Sequence, residues 1–514
     1  MRQFRYLVLA LFTALGIISA STSGFAKSSP RTTPVYPQLI LPSSPFFQIS
    51  TSFLPNKKVF AHYMVCCGAF FNDQHMATLE DAAKQDILMA QAMGIDGFAL
   101  NLGGWSSPNY YSTRAAAMFQ AAQDLGTGFQ LFFSADMCCG LPASDIVNMI
   151  TTYGSHPNYF TKSGRPVLST YDGGQHANLS FWRDQVLAPL ATAGYNVYFV
   201  PYFFPDPMVD PPTTTAIQSN VSYWSAQTRS SSSASIIDGM FNFATAQLSY
   251  GSAPSLTQNT SDYGAALSTA GKTFMASFSP YYWGTYQTSA GRRNFNERGG
   301  QGMNEQFTAI QAANPDWIEI VTWNDWAESY MMPIDDFTKY FTWGYCMQNS
   351  AGNCIPAGWY QDHRGMAELI RYYIQWFKTG VQPTIVKDAV FYSYVPQMST
   401  ATITTTDPYG AVGQVCSGGS CWPYGLFGDS TDNVYITAAM TAPGFVTWNS
   451  GSIHSYQAIP AGLSFVTGTS SPGTQVFSLS RGGVQINWVQ GPDILNSLPI
   501  YNYWPATGYV EGPN

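Results

Sequence analysis

Between residues 57 and 380, short apolar runs of β-forming residues alternate with longer stretches whose apolar positions recur every three or four residues. The first run is "KVFAHYMV", and "TLEDAAKQDILMAQAMG" follows it and ends at Gly94. Short apolar runs are typical of buried strands, and the longer spacing is typical of amphipathic helices. The alternation occurs eight times, which predicts eight strand-then-helix units.

Eight such units predict an α/β fold in which parallel strands are joined by crossover helices. A closed (β/α)8 TIM barrel is the expected arrangement over residues 57–380. A doubly wound open sheet is the alternative, although no G-x-G-x-x-G motif follows the first strand. In a barrel of this kind, functional side chains lie at the C-terminal ends of the strands.

The character of the chain changes after residue 380, where short β-type runs are separated by Gly, Pro, Ser and Asn. Residues 381–514 are therefore predicted to form a C-terminal all-β sandwich, which either binds glycan or caps the barrel. Residues 27–56 are rich in Pro, Ser and Thr and are expected to be extended.

The first 26 residues have the layout of a secretory signal peptide. Arginines precede an apolar run from Tyr6 to Ile18, and small residues follow, with cleavage expected after Ala20 or Ala26. The run is shorter than the roughly 20 residues that span a bilayer. We expect a secreted protein, extracellular or in a cell wall, that has no membrane association once the signal is removed.

Charged residues make up 10% of the chain, aromatic residues make up 15%, and the net charge is −8. The 22 Lys and Arg residues form no run, so the chain lacks the basic surface that binds nucleic acid. Low charge favours a neutral substrate. Aromatic faces suit the C–H faces of sugars, although aromatic residues also fill cores.

Eight cysteines in a secreted chain predict disulfides. Two local bridges are expected, namely Cys346 with Cys354 and Cys416 with Cys421. The adjacent pairs Cys66–Cys67 and Cys138–Cys139 predict one or two bridges between them. Metal ligation is the weaker alternative, because no histidine lies at ligand spacing beside them.

The predicted C-terminal strand ends carry carboxylates, amides and aromatic rings. The candidate site residues are His62, Asn101, Asp136, Asp172, Tyr202, Asp238, Asn242, Tyr282, Trp283, Trp323, Asn324, Asp325, Trp326 and Glu328. Acids that face one cavity repel each other, which raises the pKa of at least one of them. Glycoside hydrolysis needs this division into one protonated acid and one ionised base.

Single candidates also have structural interpretations. Asp325 or Glu328 could cap the helix that follows. Asp172 and Asp238 could hold turns, and His62 could be a hydrogen-bonded core histidine. The coincidence of many polar groups at one rim favours a functional site.

Several blocks in matching order, among them "FAHYMV", "GIDGFALNL", "RPVLSTYDG" and above all "IEIVTWNDWAES", resemble glycoside hydrolase family 71, the fungal α-1,3-glucanases or mutanases. The resemblance covers about residues 57–380, and the β-region that follows is similar to a module of many members. It implies a barrel with an appended sandwich, endo-hydrolysis of α-1,3-glucan with inversion, and no metal or organic cofactor. The family's W-N-D-x-x-E-S block maps its paired acids onto Asp325 and Glu328.

The chain departs from the family pattern at a few positions. Ala327 stands where Gly is usual, and Tyr330 stands where His is usual. Asp172 replaces a Glu, and Ala135 lies where an acid or a Phe-flanked pattern is common. These differences leave the acid pair intact and concern subsite preference more than activity.

An inverting mechanism has one acid that protonates the glycosidic oxygen and one base that activates water, with the carboxyls roughly 6.5–9.5 Å apart. Glu328 is assigned as the acid and Asp325 as the base, an order that the sequence leaves open, and Asp136 or Asp238 could replace one of them. The expected partner is an α-glucan, and the protein is expected to be a monomer. The alternatives are a non-catalytic glucan-binding cell-wall protein and an endo-glycosidase that acts on another α-glycan, such as α-mannan.

Overall fold

The computed structural model describes most of the chain after its first 43 residues. The described residues are 44–67, 76–107, 109–171, 179–205, 212–230, 232–243, 256–283, 294–296, 298–325, 329–333, 362–403, 414–417, 420–423, 427–428, 432–498 and 502–512. The predicted signal peptide and the first part of the predicted extended segment lie outside these residues. Within them, no helix is both long enough and apolar enough to cross a bilayer.

Strands and helices alternate in the first part of the chain. Its strands are β1 (Lys58–Met64), β2 (Gly97–Leu102), β3 (Gln130–Asp136), β4 (Thr161–Lys162), β5 (Arg165–Tyr171), β6 (Tyr198–Phe199), β7 (Gly239–Phe241), β8 (Thr273–Phe278), β9 (Tyr282–Trp283), β10 (Asn294–Asn296), β11 (Trp317–Ile320), β12 (Asn324–Asp325) and β13 (Ser329–Tyr330). Its helices are α1 (Leu79–Ala92), α2 (Tyr110–Leu125), α3 (Ala143–Tyr153), α4 (Ala188–Thr192), α5 (Thr214–Ala226), α6 (Leu256–Thr269), α7 (Gly300–Ala313) and α8 (Arg364–Thr379). A π-helical stretch, Phe181–Leu187, runs directly into α4.

The first helix forms where its sequence signals predict it. The Thr78 hydroxyl accepts a hydrogen bond of 3.0 Å from the Asp81 backbone N–H and so satisfies a free donor at the start of α1. Glu80 and Asp81 lie in the first turn, where carboxylates stabilise the helix dipole. Gly94, with φ of +87°, allows the chain to turn back into β2.

Eight strands run parallel in the order β6, β5, β3, β2, β1, β11, β8 and β7, and β4 adds to β5 in the antiparallel sense. The two end strands are joined by backbone hydrogen bonds. The Asp238 N–H donates to the Phe199 carbonyl oxygen at 2.8 Å, and the Phe241 N–H donates to the Pro201 carbonyl oxygen at 3.0 Å. The predicted α/β architecture with parallel strands and crossover helices is confirmed.

The regular elements in the described part of the C-terminal region are all β-strands. Its strands are β14 (Ala389–Tyr394), β15 (Gln397–Ile403), β16 (Gln414–Ser417), β17 (Ser420–Pro423), β18 (Phe427–Gly428), β19 (Asn433–Met440), β20 (Gly444–Ser450), β21 (Ile453–Ile459), β22 (Gly462–Thr469), β23 (Gly473–Arg481), β24 (Val484–Leu498) and β25 (Ala506–Glu511). One sheet has the order β22, β19, β14, β25, and the other has the order β15, β24, β23, β20, β21. Alternate residues of both sheets, such as Ile436 and Phe477, form a shared apolar core, so a C-terminal β domain is present.

The C-terminal β domain packs closely on the first part of the chain. Phe46 contacts Phe391 of β14 with ring centroids 5.1 Å apart and Tyr372 of α8 at 5.6 Å. Gly300, at the start of α7, lies so close to β19 that a Cβ atom there would be 2.0 Å from the Thr437 hydroxyl oxygen. These contacts join the two regions through one continuous buried core.

Candidate active site

A buried ion pair occupies the interior of the parallel sheet. His62 of β1 and Glu319 of β11 lie on neighbouring strands, and His62 Nδ1 is 2.6 Å from Glu319 Oε1. Both side chains are fully buried. Burial raises the pKa of the Glu319 carboxyl, and the neighbouring His62 opposes this rise. His62 therefore gives the Glu319 carboxyl a hydrogen-bond partner in a water-poor environment, where a carboxyl without a partner would be costly to bury.

Three buried side-chain oxygens of the parallel sheet, two from serines and one from Glu319 itself, keep unused hydrogen-bonding capacity. Ser134 of β3 and Ser169 of β5 are paired in register and fully buried. Among the described residues, Ser134 Oγ, Ser169 Oγ and Glu319 Oε2 have no hydrogen-bond partner. Buried residues in the middle of strands are mostly apolar. The layer formed by Ser134, Ser169 and Glu319 therefore makes the centre of the sheet unusually polar beneath the C-terminal strand ends.

Asp136 lies at the C-terminal end of β3, above this layer. Its Oδ1 accepts a hydrogen bond of 3.1 Å from the Cys138 N–H, and its side chain also bonds to Asn101 at the end of β2. Burial raises the pKa of Asp136, while His62, Asn101 and the backbone N–H groups of the following turn oppose the rise. The structure thus brings together three sequence-predicted candidates, His62, Asn101 and Asp136.

Aromatic rings gather at the neighbouring strand ends. Phe243, which follows β7, has its ring centroid 5.1 Å from His62, 4.6 Å from Tyr171 and 6.0 Å from Tyr202. Tyr202, a predicted site residue, is therefore part of an aromatic wall beside His62. Phe243 and Glu319 were not among the candidates. The signal for Glu319 was a carboxylate inside the apolar run "WIEIV", and the signal for Phe243 was its two-residue spacing from Phe241.

Asp325 lies just beyond the C-terminal end of β11 and is partly buried. It belongs to β12, which forms a hairpin with β13 in which Asp325 pairs with Ser329. The Asp325 N–H donates to Thr322 Oγ1 at 2.8 Å, and the Thr322 hydroxyl donates to the Ser329 carbonyl oxygen. These bonds fix the base of the hairpin, so the backbone that carries Asp325 is held over the strand ends.

Asn324 has a structural role in positioning this hairpin. Its Oδ1 accepts a hydrogen bond of 2.7 Å from the Met64 N–H, and its Nδ2 donates to the Met64 carbonyl oxygen at 3.1 Å. The side chain is fully buried. Both polar atoms of the amide are occupied by β1, so Asn324 attaches the hairpin to the end of the first strand.

Trp323 does not face the cluster of His62, Asn101 and Asp136, which corrects its expected place among the site residues. It is fully buried, its ring centroid is 5.4 Å from that of Phe98, and its Nε1 donates to Asp86 Oδ1 of α1 at 2.9 Å. The Tyr63 hydroxyl donates to Asp86 Oδ2 at 2.7 Å. Trp323 therefore packs β1, β2 and α1 together.

Asp238 lies at the opposite end of the sheet, so its prediction as a C-terminal strand-end residue was wrong. Strand β7 begins at Gly239, directly after Asp238. The Asp238 carboxylate accepts two hydrogen bonds of 2.7 Å from Arg165, at the start of β5, and one of 2.8 Å from Arg229. It also accepts a bond from the Phe199 N–H at 2.9 Å. These contacts make Asp238 the centre of a structural ion-pair network.

Three further candidates contact other parts of the protein. Asn242 donates to Asn259 Oδ1 at 3.0 Å and accepts from the Ser277 N–H at 2.8 Å, which joins β7 to β8 and α6. Tyr282 and Trp283 form β9 and are buried. The Trp283 ring centroid lies 4.8 Å from that of Tyr503, so this tryptophan packs on the C-terminal region.

Three candidates, Asp172, Trp326 and Glu328, lie outside the described residues, as do Cys346 and Cys354. The predicted bridges between the adjacent cysteine pairs involve Cys67, whose side chain lies outside the described residues, and no disulfide joins the described Cys66, Cys138 and Cys139 to one another. A Cβ atom on Gly103 would lie 2.6 Å from Cys139 Sγ, so this sulfur packs against β2. Cys416 and Cys421 stand opposite each other in the β16–β17 register.

No group of three or more His, Cys, Asp or Glu residues in the described parts of the chain is arranged to hold a metal ion. The cluster instead offers carboxylates of raised pKa, a histidine, an amide and aromatic rings at one end of a parallel sheet. Such a set can exchange protons with a bound neutral molecule and pack against its apolar faces.

Comparison with known proteins shows which family and which relatives the chain resembles. The family model "Glycosyl hydrolase family 71" matches residues 55–514. The chain is 25% identical over 446 residues to a glucan endo-1,3-alpha-glucosidase of Schizosaccharomyces pombe, covering 83% of this chain and 90% of the relative. It is 27% identical over 469 residues to a mutanase of Penicillium rubens, covering 89% of each chain.

Solved structures add a more distant similarity. The GH99 endo-alpha-mannosidase from Bacteroides thetaiotaomicron aligns with a TM-score of 0.44 and 13% identity, covering 63% of this chain and 98% of that one. The match to the family model spans both the parallel sheet and the C-terminal β domain described above. On that match, the chain belongs to glycosyl hydrolase family 71 and is a glycoside hydrolase.

Proposed function

We propose that this chain is a secreted endo-acting enzyme that cleaves α-1,3-glucan by an inverting mechanism with Asp325 and Glu328 as its paired acids. The observation that carries the proposal is the position of Asp325, held by its hairpin at the C-terminal end of the eighth parallel strand. Asp325 is fixed at the same end of the sheet as Asp136 and Asn101. The names of the two relatives, a glucan endo-1,3-alpha-glucosidase and a mutanase, support the choice of linkage.

We also infer that the eight parallel strands form a closed (β/α)8 barrel and that the C-terminal β domain is a sandwich. The backbone bonds from Asp238 and Phe241 to the β6 segment support closure, because they join the two end strands of the sheet. In a closed barrel, the strand ends that carry Asp136 and Asp325 surround one opening. Signal-peptide layout at residues 1–26 supports secretion.

In the proposed reaction, Glu328 protonates the glycosidic oxygen and Asp325 removes a proton from the attacking water on the opposite face of the sugar. Glu328 directly precedes Ser329 in the sequence, and Ser329 pairs with Asp325, which supports a place for both acids near the same strand end. His62, Asn101, Asp136 and Tyr202 would line the subsites. Asp172 and Trp326 remain candidates for sugar contacts by their place in the sequence.

A panel of α-1,3-glucan, mixed α-1,3/1,4-glucan, α-mannan and β-1,3-glucan, assayed for new reducing ends, tests this function. We expect release of oligosaccharides from α-1,3-glucan and none from α-mannan or β-1,3-glucan. Release from α-mannan alone would overturn the proposed substrate. Proton NMR of fresh digests tests the stereochemistry, since inversion yields β-anomers that mutarotate, whereas α-anomers would indicate retention.

A further inference from the structure

The outer surface of the five-stranded sheet in the C-terminal β domain carries three exposed aromatic rings. Tyr456 of β21, Thr447 of β20, Ser478 of β23 and Trp488 of β24 stand directly opposite one another and form one row across four strands. Phe445 lies two positions from Thr447 on the same side of β20, and its ring centroid is 6.2 Å from that of Tyr456. We call these five residues the aromatic face.

The rings of the aromatic face do not belong to the core of the domain. The intervening residues Val446 and Trp448 point into the core, so the aromatic face is the outer side of the same strands. Tyr456 is 74% exposed, Trp488 is 54% exposed and Phe445 is 41% exposed. Among the described residues, Trp488 is the only tryptophan exposed to this degree. A group of exposed rings on one flat surface is unusual and marks a site of interaction.

The geometry of the row suits an extended chain. Adjacent strands lie about 4.8 Å apart, so Tyr456 and Trp488, three strand intervals apart, are separated by roughly 14 Å. The two rings flank the small polar side chains of Thr447 and Ser478. An elongated ligand that crosses the strands can therefore stack on a ring at each end and hydrogen-bond to hydroxyls between them.

The charge of the residues around the aromatic face indicates which class of ligand it can bind. The paired rows on either side of the aromatic face contain only uncharged residues and one histidine. They are Ala458 and Ser480 beside Phe445, and His454, Asn449, Val476 and Gln490 in the next row. With no Lys, Arg, Asp or Glu in these rows, the surface offers stacking and neutral hydrogen bonds and favours a neutral ligand rich in hydroxyl groups.

We propose that the aromatic face binds a chain of neutral α-glucan away from the active site and tethers the enzyme to insoluble substrate. This inference rests on the proposed function for the identity of the polysaccharide. Tethering converts capture of the next substrate segment into an intramolecular event and so raises its effective concentration at the active site. The benefit is confined to particulate substrate, because a short soluble oligosaccharide cannot contact the aromatic face and the active site at once.

The test uses the full chain with Tyr456→Ala and Trp488→Ala combined, in both an active background and an Asp325→Asn background. Tyr223→Ala is the matched control, because Tyr223 is 50% exposed on α5, outside the aromatic face. Binding is measured as depletion of protein from solution by insoluble α-1,3-glucan particles. Activity is measured on those particles and on soluble α-1,3-gluco-oligosaccharides. Circular dichroism verifies that each variant is folded.

We expect the double variant to bind particles roughly tenfold more weakly, because two aromatic contacts are lost. Its turnover of particles should fall in parallel, while kcat/KM on soluble oligosaccharides stays unchanged and Tyr223→Ala matches the wild type. Unchanged particle binding by the double variant would overturn the inference. So would a dimer of the wild type that the double variant abolishes, because the face would then join two copies of the chain.

These outcomes are distinguishable from failure of the proposed function. A wild-type chain that cleaves α-1,3-glucan but binds it equally well without the two rings contradicts only the role of the aromatic face. A wild-type chain that binds particles through the two rings but cleaves no α-glucan contradicts only the proposed activity.

Discussion

His62 Nδ1 and Glu319 Oε1 lie 2.6 Å apart on neighbouring strands, with both side chains fully buried. Removing one partner of such a pair leaves the other group buried without compensation, which commonly destabilises a protein by about 3–5 kcal/mol. The pair therefore links the stability of the sheet to the electrostatics of the candidate site, since His62 also opposes the rise in the pKa of Asp136.

The first prediction concerns this pair. We expect His62→Gln and Glu319→Gln each to lower the free energy of unfolding by about 2–5 kcal/mol. Because each single change removes the same interaction, the double variant should lose less than the sum, with a coupling of about 1–3 kcal/mol. Urea denaturation of the four proteins measures this cycle. Additive losses would mean that the two residues do not interact in solution.

The second prediction concerns the proposed acid pair. Asp325→Asn and Glu328→Gln keep nearly the same shape but cannot transfer a proton in the required direction. We expect either change to lower kcat on α-1,3-glucan by at least about a hundredfold, in the range of general acid–base catalysis, with little change in glucan binding. Reducing-end assays and particle depletion measure the two quantities. Near-normal turnover in either variant would remove that residue from the mechanism.

The ends of the longer strands could be predicted from the sequence. A polar residue that ends an apolar run indicates the point where a strand leaves the core, and Asn101 and Asp136 lie where this reasoning expects them. The parallel architecture follows from the alternation of strands and helices, because a helix that crosses over between two strands allows them to run parallel. The change after residue 380 to short β-type runs separated by turn residues also predicted the C-terminal β domain.

The direction of side chains beyond the strand ends could not be predicted. Strand β11 ends at Ile320, so the two-residue alternation no longer decides which side Trp323 faces. The partner that orients it, Asp86, lies more than two hundred residues earlier in the chain. Asp238 was misplaced because the apolar run "SIIDGMFNF" extends on both sides of a strand of three residues. In both residues, the position of the side chain is set by contacts with residues that are distant in the sequence.

The third prediction follows from the corrected position of Asp238. We expect Asp238→Asn to lower the free energy of unfolding by about 2–4 kcal/mol, because it weakens charge-assisted bonds to Arg165 and Arg229. Activity should remain within about twofold of wild type, because Asp238 lies at the opposite end of the sheet from the proposed active site. The matched control is Asp184→Asn, whose exposed ion pair with Arg183 is screened by solvent and should contribute little to stability. A large loss of kcat with unchanged stability would contradict this assignment.

The fourth prediction concerns pH and the buried Asp86. Burial raises the pKa of Asp86 to about 7, although the bonds from Tyr63 and Trp323 favour its charged form. In the unfolded chain the carboxyl ionises near pH 4, so a raised folded pKa makes the folded state bind more protons between these values. The contribution of Asp86 to stability is therefore greatest below about pH 4 and is lost as the pH rises towards 7.

The variant Asp86→Asn has no such titration and isolates this effect. We expect the difference in unfolding free energy, wild type minus Asp86→Asn, to fall by up to about 4 kcal/mol between pH 4 and pH 7. Urea denaturation of both proteins at several pH values measures the difference, and Asp184→Asn serves as a control whose carboxyl is exposed. A difference that rises with pH would mean that Asp86 is ionised in the folded protein. In that case the hydrogen bonds from Tyr63 and Trp323 would outweigh burial, and the carboxylate would be a charged anchor for Trp323.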